Sequence, residues 1–127
     1  MPARKVQHIA RTDHPQILLV DDDAGAVEAL MDVLIAEGYT VATARNGREA
    51  LNYLRHSAVP RLVILDLFMP EMDGWEFRRE QRKEPKLANL PVIAVTGASV
   101  FAGIDVDVIV HKPIDVDHLL GLIKRYI

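Results

Sequence analysis

Ile17-Leu18-Leu19-Val20 is an unbroken apolar run, and Asp21-Asp22-Asp23 ends it at once. A strand with one wet face alternates polar and apolar residues, so a run with no polar position reads as a strand covered on both faces. The signature recurs along the chain. Leu62-Val63-Ile64-Leu65 is closed by Asp66, Pro91-Val92-Ile93-Ala94-Val95 by Thr96, and Val108-Ile109-Val110 is followed by Lys112-Pro113. Tyr39 to Ala44 alternates and reads as a fifth strand. Between these runs the period changes. Val27, Leu30, Met31, Leu34 and Ile35 recur at helical spacing ahead of Gly38, a natural residue for the position just past a helix end. Asn46-Gly47 opens a helix carrying Ala50, Leu51 and Leu54. Asp73 can cap a polar helix reaching Glu84, and Asp115 caps a last one with Leu119, Leu120 and Ile123 on one face. Any single apolar run could be a segment of buried helix. Five of them, bounded by turn residues and alternating with helices, instead predict an α/β fold: a doubly wound five-stranded parallel sheet with helices on both faces.

The whole-chain properties agree with a single soluble domain. With 127 residues the chain can bury about two-thirds of its unfolded surface without a disulfide or structural metal. Half the residues are apolar and 26% are charged, which excludes disordered and collagen-like classes. Fifteen basic and eighteen acidic residues leave a net charge of −3, so no nucleic-acid or membrane surface is expected. The absence of cysteine removes thiol catalysis, disulfide scaffolds and cysteine zinc sites. No apolar run approaches the roughly 18 residues of a membrane span, and a cytoplasmic location is expected. Residues 1–15 are basic and aperiodic and are expected to form a flexible tail, with the domain occupying 16–127.

Ligands of open parallel sheets bind beyond the carboxyl ends of the strands. That edge receives Asp21 and Asp22 from the first strand, Asp66 from the third, Thr96 from the fourth and Lys112 from the fifth. Three neighbouring carboxylates repel one another unless a cation neutralises them, and a hard divalent ion such as Mg²⁺ suits oxygen ligands. A carboxylate in such a setting can act as a nucleophile toward a phosphoryl group, giving an aspartyl phosphate. The metal, a hydroxyl and an ammonium would then meet its peripheral oxygens. Taken singly, these residues read as turn, cap and surface residues. Their joint placement on four of five strand ends favours the site.

The segments LLVDDD, LVILDLFMPEMDGWEF, VIAVTGAS and VIVHKPI resemble the receiver domain of two-component response regulators over residues 16–127. The combination of an acidic pair, Asp-x-x-Met-Pro-x-Met-Asp-Gly, a threonine and Lys-Pro is specific to that family. The resemblance implies the strand order 2-1-3-4-5. It implies Asp66 as the phosphoacceptor, Asp22 as a direct metal ligand, Asp21 as a ligand acting mostly through water, and the backbone carbonyl of Phe68 as a further ligand. Thr96 would be the switch hydroxyl and Lys112 the lysine that contacts the acyl phosphate, with a cis bond before Pro113. The cofactor would be Mg²⁺ or another divalent cation such as Mn²⁺. The donor would be a sensor histidine kinase or phosphotransfer protein, and the output a change in affinity for a downstream protein. No separate substrate is implied, and hence no enzyme in the ordinary sense.

Two alternatives belong to other classes. A haloacid-dehalogenase-type phosphatase also uses a strand-end aspartate and Mg²⁺, but it wants a second aspartate where this chain has Phe68. A receiver-like binding module would keep the fold and not use phosphorylation. Two departures from the family pattern bear on this. Ile109 stands three residues before the lysine, where the family usually has an aromatic. Residues 97–106 are too few for two loops and an average helix of about 11–12 residues. The fourth helix of the family is therefore expected to be short or absent, replaced by a loop with at most one turn, and partners are expected to use another face. Asp23 reads as a cap of the first helix, and Met69, Met72, Trp75 and Phe77 as packing beneath the loop. The five histidines show no metal-ligand spacing, and residues 78–84 read as a solvated helix face.

Overall fold

The computed structural model describes residues 14–97 and 104–127. Its elements are β1 (Ile17–Val20), α1 (Ala24–Ala36), β2 (Val41–Ala44), α2 (Gly47–His56), β3 (Leu62–Asp66), α3 (Gly74–Lys83), β4 (Val92–Thr96), β5 (Val108–His111) and α4 (Val116–Ile123). The strands form one sheet in the order β2-β1-β3-β4-β5, every pair parallel. This is the expected doubly wound fold and strand order. The expected tail over 1–15 and the expected loop over 97–106 fall largely on residues outside those described.

β1, β3 and β4 are buried along their whole length, as their unbroken apolar runs require. Alternate residues of each strand feed two separate cores. Leu18, Val20, Val63, Leu65, Val92 and Ala94 face α2 and α3, meeting Ala50, Leu51, Leu54 and Phe77. Ile17, Leu19, Leu62, Ile64, Ile93 and Val95 face α1 and α4, meeting Met31, Leu34, Leu119, Leu122 and Ile123. Each fully buried leucine or isoleucine contributes roughly 1.5–3 kcal/mol, so the two cores hold the sheet from both sides.

Side-chain caps start the helices where the sequence places them. The Asp23 carboxylate accepts from the N–H groups of Gly25 and Ala26, Asn46 from Glu49, Asp73 from Glu76, and Asp115 from His118. The second strand begins at Val41 rather than Tyr39, because the Tyr39 N–H is spent on the end of α1. It donates to the Leu34 carbonyl while Gly38, at φ +92°, donates to Ile35. That left-handed pair of bonds terminates a helix and leaves Tyr39 unable to pair in the sheet.

One correction falls on α3. Residues 78–84 were expected to be solvated, yet Arg78 is 5% exposed and Gln81 fully buried. Gly74, Phe77, Arg78 and Gln81 are the buried residues of α3, spaced as one helical stripe, so two polar residues occupy inward positions. Their carbonyl and carboxylate partners, described below, make that burial tolerable.

The start of α3 is pressed onto the strand it follows. A Cβ added at Gly74 would lie 2.6 Å from Leu67 Cδ2 and 2.9 Å from Leu67 Cα, and the Gly74 N–H donates to the Leu67 carbonyl at 2.9 Å. Gly121 in α4 has open space around it. Gly74→Ala is expected to cost about 2 kcal/mol through a clash with backbone, whereas Gly121→Ala should stabilise by about 0.5–1 kcal/mol through helix propensity. Urea unfolding of the two variants checks this, and equal effects would refute the tight seat assigned to Gly74.

Candidate functional site

Strand register decides which side chains meet. Val20 pairs with Leu65, so the next residues, Asp21 and Asp66, lie side by side beyond the sheet. Asp66 pairs with Val95 and Thr96 with His111, which carries Thr96 and Lys112 to the same edge. The Lys112 N–H donates to the Thr96 carbonyl at 2.9 Å, extending the β4–β5 ladder by one bond, and the Lys112–Pro113 peptide is cis.

Carboxylate oxygens of Asp21, Asp22 and Asp66 lie within 4.8 Å of one another. Asp21 and Asp66 are each 8% exposed, and Asp22 is exposed. Lys112 Nζ stands 3.7 Å from Asp21 and 3.8 Å from Asp66, close enough to attract both but beyond a good hydrogen bond. Backbone donors also reach the carboxylates. The Asp23 N–H donates to Asp21 Oδ1 at 2.9 Å, and the Phe68 N–H donates to the Asp66 carboxylate. Thr96 is fully buried at the end of β4.

Among the described residues, one ammonium stands against three carboxylates at this edge. Burial, followed by the neighbouring Asp21 charge, pushes the Asp66 carboxyl up to about 6, with Asp22 adding a smaller push. Lys112 and the Phe68 N–H pull the other way. The donor set is oxygen only, with opposed ligands of a bound Mg²⁺ expected about 4 Å apart, so modest side-chain rotation would let these residues hold a hard divalent cation. Such an ion would relieve the repulsion that raises Asp66.

The loop after Asp66 is fixed from below and open above. Leu67 and Met72 are buried, and the Met72 carbonyl accepts from the Gly47 N–H at 3.0 Å, tying the loop to α2. Phe77 is buried, while Met69 and Trp75 pack half-buried on the same core, the packing expected of all four residues. Phe68 points outward, 54% exposed, with its ring edge-on to Trp75 at 5.2 Å. All the sequence-predicted strand-end residues therefore arrive at one edge. Phe68 meets the site through its backbone N–H, which is bonded to the Asp66 carboxylate. What the sequence reading missed is the buried pair Arg78 and Gln81. Extending the helical stripe from Gly74 and Phe77 by one turn would have found them.

The sequence model of the response regulator receiver domain matches residues 17–124. The response regulator Rre1 of Synechocystis is 33% identical over 116 residues, covering 86% of this chain and 50% of that protein, so the chain spans about half that relative's length. Among solved structures, the signal receiver domain of a signal transduction histidine kinase from Syntrophus aciditrophicus is 34% identical with a TM-score of 0.81, covering 88% of this chain and 89% of that one. The receiver domain of a sensor histidine kinase from Pseudomonas aeruginosa, with a magnesium ion coordinated in its active-site cleft, shares the fold. Its TM-score is 0.81 at 22% identity, over 89% of this chain and 97% of that one.

With no cation bound, the raised Asp66 pKa has a defined consequence for stability. A carboxyl that titrates near 6 folded and near 4 unfolded binds more protons in the folded state between those values. Its contribution to stability is therefore lost as pH rises through that window. Wild type should lose about 1–2 kcal/mol relative to Asp66→Asn between pH 4 and pH 7 in chelator, measured by urea unfolding. Parallel stability curves for the two proteins would show that Asp66 is not crowded as described.

Proposed function

This chain belongs to the response regulator receiver domain family, and from that premise we propose that it takes a phosphoryl group onto Asp66. The donor is a histidine kinase or phosphotransfer protein of a two-component system. The observation that carries this reading is the convergence of three carboxylates and Lys112 Nζ beyond the sheet, all four groups within 5 Å of a neighbour. In the transfer, an Asp66 carboxylate oxygen attacks phosphorus, the bond from phosphorus to the donor's imidazole nitrogen breaks, and an acyl phosphate forms. The imidazole leaves with the electron pair of that bond.

Each residue has a part in that step. Asp22 and Asp66 would hold a divalent cation directly, Asp21 through water, and the Phe68 backbone carbonyl would supply a further ligand. When bound, the cation neutralises the carboxylates and the phosphoryl oxygens. Lys112, already poised between Asp21 and Asp66, turns to a phosphoryl oxygen once the new charge is there. Thr96 meets another oxygen with its hydroxyl. Burial and the Asp21 charge push the Asp66 carboxyl up to about 6, and a cation held by these carboxylates would favour its ionised, nucleophilic form. The chain acts on no separate substrate. It catalyses its own modification and the later hydrolysis, and the modified state changes affinity for a downstream protein. Among the described residues no helix is long and apolar enough to cross a membrane.

Incubation with acetyl phosphate and Mg²⁺ should add one phosphoryl mass to wild type and none to Asp66→Asn, read by intact mass spectrometry. Asp22→Ala should weaken Mg²⁺ binding at least about tenfold, the loss of roughly 1.4 kcal/mol expected for one charged ligand, and Asp21→Ala should weaken it less. Equal labelling of wild type and Asp66→Asn would overturn the assignment of the phosphoacceptor.

A further inference from the structure

The middle of α3 carries a guanidinium where an apolar side chain would pack. Arg78 is 5% exposed, and burial pulls its pKa below the usual arginine range. Replacing such a buried charge by a hydrophobe often leaves a fold as stable or more so, so stability alone is a poor reason for its presence. Its contacts suggest another. Arg78 donates through Nε to the Asp105 carbonyl, and through one terminal nitrogen to Gln81 Oε1 at 3.0 Å and to the Leu90 carbonyl at 3.2 Å. Its other terminal nitrogen lies 3.6 Å from the Asp107 carboxylate. Gln81 continues outward to the Leu87 and Leu90 carbonyls at 2.8 and 2.9 Å. One turn along, Arg82 pairs with the Asp105 carboxylate at 2.8 Å.

These contacts bind α3 to residues 105–107, the stretch that leads into β5. Asp107 is itself locked to β4, accepting from the Val92 N–H at 2.8 Å and donating its own N–H to the Val92 carbonyl at 3.1 Å. Both ends of this linkage reach the same place. The first residue of α3, Gly74, is seated on the backbone of Asp66 and Leu67. The strand that follows residues 105–107 is the sheet's edge strand and delivers Lys112 to Asp66. A displacement of α3 against Asp66 therefore moves the start of β5, and a shift of β5 moves Lys112.

We propose that Arg78 is a positioning residue that carries a change at Asp66 along α3 to residues 105–107 and, through β5, back to Lys112. This rests on Asp66 being the phosphoacceptor. The test records hydrogen exchange over residues 104–111 with and without acetyl phosphate and Mg²⁺, with intact mass measured on the same samples. The proteins are wild type, Arg78→Leu combined with Gln81→Leu, and Asp107→Asn. In wild type, phosphorylation alters exchange over 104–111. In the double variant that difference is lost, and in Asp107→Asn, which keeps the Arg78 bond to the Asp105 carbonyl, it is reduced; slower phosphorylation also counts in favour, since β5 carries Lys112. A purely structural Arg78 would lower stability and leave the phosphorylation-dependent difference intact, and that result overturns the proposal. So does a phosphorylated wild type with no change over 104–111. If the double variant does not fold, Asp107→Asn decides, because its amide still accepts from Val92 while its charge on Arg78 is gone. No gain of mass in wild type overturns the phosphoacceptor reading itself, and this proposal with it.

Discussion

A strand with both faces in the core can carry a charge only where it ends. β1, β3 and β4 obey this without exception, and their parallel register brings the ends level. The side chains that could not be placed elsewhere are thereby collected along one edge. The burial that stabilises the strands also strips water from Asp21 and Asp66, so the apolar sheet sets the electrostatics of its own rim. Fold stability and site reactivity are in tension there. What would be solvated aspartates on a free turn are held close together, with a single ammonium nearby, and the balance is left for a cation and a phosphoryl group to change.

The supports around that rim differ in stiffness. On the β3 side, the loop after Asp66 is anchored through Met72 to α2 and through Leu67 to α3 by backbone bonds. On the β5 side, Lys112 hangs from a four-residue edge strand with partners on one side only. Just ahead of that strand, Arg78 of α3 bonds the Asp105 carbonyl and Asp107 bonds Val92 of β4.

Much of this was legible in the sequence because the relevant signals are short-range. An apolar run cut off by Asp21, Asp66 or Thr96 names both a strand and its chemically useful end, and Asp23, Asn46, Asp73 and Asp115 announce helices through local capping geometry. The reading failed where a local rule met a tertiary one. Tyr39 has strand character, but the helix end took its N–H. Arg78 and Gln81 sit in a charged run that looks solvated. Only the three-dimensional supply of carbonyls from Leu87, Leu90 and Asp105 makes inward positions acceptable to them. Those acceptors come from residues six to twenty-seven positions away, on segments whose proximity no local pattern reveals.

The edge-on pair of Phe68 and Trp75 has an optical consequence. The chain contains one tryptophan, and its ring touches the residue whose N–H is bonded to the Asp66 carboxylate. Tryptophan emission from this protein is therefore a local signal, arising from one indole in ring contact with Phe68. Any event that rearranges the backbone at Phe68 is written directly into the indole's surroundings, so the site carries its own spectroscopic label.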